Sequence, residues 1–172
     1  MDPERRVSAG ARVVPTTEAH LRSLHEALDI VARERLYLAF TAAPPWEQSQ
    51  AFYKDLLAQG LPHVVAVAAD GHVLGWCDIA PLMGESRAHI GTVGMGLRPQ
   101  ARGQGLGRAL LQAALARAWD CGFTRIELTV REDNHRARAL YESLGFAHEG
   151  VRRRGSCIDG ICHDVHAMAL LR

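Results

Sequence analysis

Along the chain the apolar positions alternate between a period of two and a period near 3.6, and each change of period marks an element. Ala11 to Pro15 reads as a short strand. Thr16 or Thr17 followed by Glu18 then caps a helix whose apolar residues, Leu21, Leu24, Leu28 and Val31, fall three and four apart and carry it to about Arg35. Tyr37, Phe40, Pro44, Pro45 and Trp46 make an irregular aromatic loop, and Pro45 opens a second helix that Gly60 ends. Val64 to Ala69 and Val73 to Ala80 are β-rich runs across Asp70-Gly71, so they should pair antiparallel. His89 to Leu97 is a further strand loaded with Gly91, Gly94 and Gly96, which suggests a bulge or close approach by a ligand. From Gly103 the period turns helical through Leu106, Leu110, Leu111, Ala114, Leu115 and Ala118 until Gly122. Arg125 to Val130 is a strand, Asn134 to Leu144 a helix with Ala137, Leu140, Tyr141 and Leu144 on one face, and Phe146 to Cys157 and Ile161 to Leu171 a hairpin across Asp159-Gly160. The order β-α-α-β-β-β-α-β-α-β-β predicts an α+β or mixed α/β sheet. Residues 1–10 read as a tail and residues 11–172 as one domain.

The length of 172 residues suits a single core. A formal net charge of +1 gives no bulk attraction to nucleic acid or anionic membrane, so neither is an expected partner. The longest wholly apolar runs, such as Val64 to Ala69, are far below a membrane span, and the mixed-charge N-terminus lacks a signal-peptide core, so the expected location is cytoplasmic. Four unevenly spread cysteines, Cys77, Cys121, Cys157 and Cys162, point to reduced thiols rather than a disulfide scaffold.

Charge becomes informative locally. Lys54 is the one lysine among 20 basic residues, and between Ser86 and Trp119 stand Arg87, Arg98, Arg102, Arg108 and Arg117 with no Asp or Glu. That segment holds Arg102-Gly103-Gln104-Gly105-Leu106-Gly107-Arg108, between a strand and a helix. Glycines there let backbone N–H groups converge at a helix N-terminus, which favours a phosphate, and arginine forks suit a polyphosphate. A Walker loop would need Gly-Lys-Ser/Thr, and the dinucleotide spacing fails because Arg108 takes the last glycine position.

At these residues the chain resembles the GCN5-related N-acetyltransferase (GNAT) superfamily. The family's acetyl-CoA motif, Q/R-x-x-G-x-G/A, is matched by Arg102 to Gly107, and a second pattern by Asn134, Ala137, Leu140-Tyr141 and Gly145-Phe146. Glu149-Gly150, Arg152, Gly160, Asp164 and Met168 match the C-terminal strand pair of many small bacterial members. The resemblance implies a mostly antiparallel, splayed central sheet flanked by helices, with acetyl-CoA as cosubstrate. It implies that backbone from Arg102 to Arg108 (Arg102, Gly103, Gln104, Gly105, Leu106, Gly107, Arg108) cradles the pyrophosphate. Met95, Gly96 and Leu97 would pair with the pantetheine, and Asn134, Ala137 and Tyr141 would complete the cofactor site. Asn134 is equally a helix cap. A homodimer is a frequent assembly among proteins of this kind.

Acetyl transfer from a thioester to an amine needs a neutral amine and a proton for the leaving thiolate. Tyr141 is the candidate general acid, since a phenol stays protonated at neutral pH; read without the family pattern, it is a core residue beside Leu140 and Leu144. Many relatives carry a Glu on the strand before the motif, where this chain has Thr92, so the base is unassigned, with Glu85, His89 and Asp78 as candidates. Tyr37, Phe40, Trp46 and Phe52 are core or the wall of an acceptor pocket, the latter being the family's common arrangement. Cys157, Cys162, His163 and His166 are metal-type ligands; the Asp159-Gly160 turn opposes the two cysteines, allowing a disulfide or small metal site, but strand alternation splits the histidines between faces and no metal is expected. The expectation is an acetyl-CoA-dependent N-acetyltransferase acting on a small-molecule primary amine such as an amino acid, its analogue, a polyamine or an amine antibiotic. A protein N-terminus or lysine is the alternative acceptor, and a non-catalytic acyl-CoA-binding regulator the alternative from another class.

Overall fold

The computed structural model describes residues 10–172 and the backbone of residues 5–7. Within the segment read as a tail, Arg5–Val7 forms a strand, β1, paired antiparallel with β2 (Ala11–Pro15); the remainder of that reading lies outside the described residues. The other strands are β3 (His63–Val67), β4 (Val73–Pro81), β5 (Ile90–Leu97), β6 (Arg125–Arg131), β7 (Ala147–Ile158) and β8 (Ile161–Leu171). They form one sheet in the order β1-β2-β3-β4-β5-β6-β8-β7 among the described residues, antiparallel except where β5 meets β6. The helices are α1 (Leu21–Ala32), α2 (Trp46–Ala58), α3 (Leu106–Asp120) and α4 (His135–Ser143).

Alternation along the strands sorts the core into two layers. Val65, Val67, Val73 and Trp76 face α1 and α2, packing on Leu21, Leu24, Ala27 and Tyr53. Val64, Ala66, Cys77 and Ile79 face α3, whose Leu106, Leu110 and Leu111 are fully buried. Each such leucine contributes about 1.5–3 kcal/mol of transfer free energy.

The three glycines of β5 do not make a bulge. Pairing with β4 runs unbroken from Gly75–Leu97 to Pro81–Gly91, and the missing side chains make room for those of β4. A Cβ on Gly94 would lie 2.9 Å from both carboxylate oxygens of Asp78, and one on Gly96 would lie 2.8–2.9 Å from carbons of the Trp76 ring.

Strands β5 and β6 pair only from Ile90–Arg125 to Thr92–Glu127 and then part. Val93 to Leu97 and Leu128 to Arg131 therefore line a split that opens through the sheet. At the far edge, the β7–β8 register sets Cys157 opposite Cys162 with Cα atoms 4.0 Å apart, and the two sulfurs are bonded as a disulfide. This corrects the reduced-thiol expectation for that pair: a two-residue turn leaves the cysteines nowhere to go but against each other. Cys77 and Cys121 are free thiols. No helix among the described residues is long and apolar enough to cross a membrane.

Candidate active site

Two cavities meet in the split. The first, about 740 Å³, runs along the start of α3 and beside α4, against Met95, Gly96, Leu97, Gly103, Gly105 and Arg108. Gly105 caps α3 with φ +81°, a left-handed conformation that costs an L-residue about 1–2 kcal/mol, and no side chain caps the helix. The first-turn amides of α3 thus remain available to an anion at the positive end of the helix dipole. Leu106 contributes backbone alone, because its side chain is core.

The arginines of this loop do different jobs. The Arg102 side chain is turned into the protein: Nη1 donates to Glu34 Oε1 at 3.0 Å, and Nε and Nη2 donate to the Leu97 carbonyl at 3.1 and 2.9 Å. It fastens the end of β5 to the end of α1, leaving only its backbone for a ligand. Arg108 lines the cavity with Nη2 on the Ser143 hydroxyl at 2.6 Å. Gln104 lies outside the cavity lining, with its amide on the Gln100 carbonyl at 2.9 Å.

The second cavity, about 600 Å³, opens between the α1–α2 layer and the split. Tyr37, Phe40, Phe52, Tyr53 and Trp76 supply aromatic walls. Deep inside lies Asp78, 8% exposed, whose carboxylate has no hydrogen bond or ion pair among the described residues. Burial lifts its carboxyl to about 7, so it titrates near neutrality. Asp78 stands opposite His63 in the β3–β4 register. His63 is buried against Tyr53, its ring nitrogens have no partner, and desolvation lowers it to about 4, so it is neutral. Tyr53 is raised to about 12, first by burial and then by the Asp78 charge.

Tyr141 and Asn134 line both cavities. Helix α4 puts Tyr141 there because Ala137 and Leu140 share its face, while Asn134 Oδ1 caps the helix by accepting from the Ala137 amide at 3.2 Å. Tyr141 is 8% exposed, packs on Phe146, and is held above the usual phenol range by burial, so it stays protonated.

Several sequence expectations need relocation. Glu85 and His89 are exposed, before β5 and away from both cavities, because β5 enters the split from its other end. Trp46 is no pocket wall: its ring packs edge-on to His25 at 5.4 Å and under Arg22 at 3.7 Å, joining α2 to α1. Sequence reasoning did not anticipate the ties on residues 33–45, the segment roofing the split. Besides Glu34–Arg102, Arg35 pairs with Asp159 at the β7–β8 turn, and Arg131 Nη1 donates to the Leu36 carbonyl at 2.7 Å while stacking on Tyr37 at 4.7 Å.

Comparison with known proteins agrees with this geometry. Residues 24–146 match the model of the acetyltransferase (GNAT) family. N-alpha-acetyltransferase RimI of Mycobacterium tuberculosis is 33% identical over 124 residues, 70% of this chain and 73% of that protein. Mycothiol acetyltransferase of Salinispora arenicola is 46% identical over 88 residues, 49% of this chain and 28% of that longer protein. Among solved structures, a phosphinothricin acetyltransferase of Sinorhizobium meliloti in complex with AcCoA superposes with a TM-score of 0.87 at 23% identity, covering 94% of this chain and 88% of that one. At that identity the likeness is one of fold.

Proposed function

Because the chain belongs to the acetyltransferase (GNAT) family, and is an acetyl-CoA-dependent N-acetyltransferase, we propose that it acetylates the primary amine of a small molecule held beside Asp78, with Asp78 as general base and Tyr141 as general acid. The observation that carries this reading is that one buried tyrosine borders both cavities, with a helix start that no side chain caps in one and an unpaired carboxyl in the other.

The first cavity fits the cosubstrate. Its glycines hold backbone N–H groups where phosphates can be bound, Arg108 adds a cation, and the half-buried edge at Met95 lies beyond the β5–β6 pairing, where its backbone can meet an amide-bearing arm, the Leu97 carbonyl being taken by Arg102. Acetyl-CoA, once bound, supplies an activated acetyl group as a thioester. The protein's part is then proton management and positioning. An acceptor arrives as an ammonium, since an alkylamine near pKa 10.4 is neutral to only about 4 parts in 10,000 at pH 7. The Asp78 carboxylate binds that cation and takes its proton, leaving a neutral nitrogen aimed at the split. Tyr141 Oη, still protonated, gives a proton to the sulfur as the C–S bond breaks; the second proton shed by the acylated nitrogen restores the phenol, and Asp78 releases the first to water. The buried rings of Trp76 and Tyr53 in the lining limit competing water.

The chain lacks a carboxylate at Thr92; Asp78 on the adjacent strand, two residues from the Ala80 that pairs with Thr92, supplies one in the second cavity. Acetylation of a protein N-terminus is a second reading, favoured by the similarity to RimI. A thiol-release assay with acetyl-CoA and a panel of free amines and short peptides tests both: turnover with free amines supports the first, and turnover confined to peptides supports the second.

A further inference from the structure

We infer that the acceptor is a monoamine on an uncharged aromatic or branched aliphatic body, and that the cavity discriminates against amines carrying a carboxylate or a second cation. This rests on the proposed placing of the amine beside Asp78, and it comes from counting charges around that cavity.

Among its described lining residues the charged side chains are Asp78 and Arg131. Arg131 is already committed. Its Nε and Nη2 donate to the two oxygens of Asp133, each at 2.7 Å, its Nη1 donates to the Leu36 carbonyl, and its face lies on Tyr37. The Asp133 carboxylate neutralises the guanidinium, and the remaining side of the fork is covered by the loop it holds. An amino acid in this cavity would bring its carboxylate among aromatic and neutral polar side chains with no uncommitted cation, and a buried charge without a counter-ion is heavily penalised. A polyamine would meet the same difficulty with its second ammonium, because Asp78 is the single unpaired acid lining the space. Gln48, Ser49, Thr129 and Asn134 of the lining are neutral and supply no counter-ion, so a short peptide with a free C-terminal carboxylate meets the amino acid's difficulty. A neutral hydrocarbon body satisfies the aromatic walls and leaves one cation for one carboxylate.

Matched probes test this with the full chain and saturating acetyl-CoA: phenethylamine against phenylalanine, isopentylamine against leucine, and spermidine and an alanyl tripeptide beside them. The expected result is a kcat/KM for phenethylamine or isopentylamine at least about 100-fold above those of the corresponding amino acids, spermidine and the peptide. Equal or better use of an amino acid, of spermidine or of the peptide overturns the inference, as does transfer to none of the probes. A charge-placement variant gives a second readout. Phe40 lines the cavity and is 51% exposed, so Phe40→Arg leaves the core untouched and adds to the lining a cation that Asp133 does not claim. It should shift the phenethylamine-to-phenylalanine preference by about 10-fold toward the amino acid, and an unchanged ratio counts against the inference. The roles of Asp78 and Tyr141 are judged separately, by whether Asp78→Asn and Tyr141→Phe cripple transfer to whichever amine ranks first; the class of acceptor can therefore fail while the catalytic reading stands, and the reverse.

Discussion

Replacing Asp78 by Asn keeps the shape of the side chain and removes its charge and its ability to hold a proton, so activity and stability should move in opposite directions. A carboxyl that titrates at about 7 in the folded protein and 3.8 unfolded binds its proton more tightly when folded. Its contribution to stability is therefore full below about pH 4 and is lost as pH rises to about 7, for a total of about 4 kcal/mol. Asn escapes that loss but buries an amide without a partner, which costs about 1–3 kcal/mol. The net expectation at pH 8 is a variant more stable by about 1–3 kcal/mol, seen as a Tm raised by roughly 2–12 °C in a chain of this size. In the thiol-release assay its kcat/KM for the amine at pH 7 should fall about 100–10,000-fold, the range for loss of a general base. The pH dependence should change form as well. The wild type should rise with slope one to about pH 7 and flatten, whereas Asp78→Asn should keep rising to pH 9 as the free amine deprotonates, narrowing the gap. A variant that is both less stable at pH 8 and unchanged in pH profile would refute the reasoning, since Asp78 would then be a packing residue.

Tyr141→Phe should lower kcat by about 100-fold or more while acetyl-CoA affinity, read by calorimetry, changes less than about 3-fold; an unchanged kcat removes Tyr141 from the acid role. Gly94→Ala would place a methyl 2.9 Å from both Asp78 oxygens, displacing the carboxylate, so kcat/KM for the amine should drop by at least about 10-fold with acetyl-CoA binding intact. Loss of cofactor binding instead would put the damage in β5 itself. The unpartnered His63 imidazole, lowered from 6.5 to about 4, contributes stability present above pH 6.5 and lost as pH falls to 4. Asp78 moves oppositely over that range, so wild-type urea midpoints should be nearly flat between pH 6.5 and 4.5 while those of Asp78→Asn fall; parallel curves would contradict the opposing pair.

The elements were legible because their hydrophobic periods are long and their turns carry Gly, Asn and Pro, and the glycine loop because its residues are contiguous. Asp78 was legible only as a candidate. Its signal is an acid inside the apolar run Val73-Leu-Gly-Trp-Cys-Asp-Ile-Ala, and its meaning depends on the register that sets Gly94 across from it and on the split that opens beside it. The Gly94 and Gly96 pattern points to close approach, and side chains of β4, Asp78 and Trp76, make that approach in the structure. Trp46 was misplaced because an aromatic near a proline loop has no period to show which face it takes, and its partners His25 and Arg22 lie on another helix. The arginines of the glycine loop looked equivalent in one dimension; Glu34, 68 residues away, singles out Arg102 as a structural tie.

The most direct test of the central claim, that amine and thioester meet at Tyr141 from opposite cavities, is a crystal structure of the chain with CoA and its preferred amine. The account predicts the CoA sulfur within about 3.5 Å of Tyr141 Oη and the amine nitrogen within about 3 Å of an Asp78 oxygen, both inside the β5–β6 split. An amine bound away from Asp78, or a sulfur that does not reach Tyr141, would contradict it.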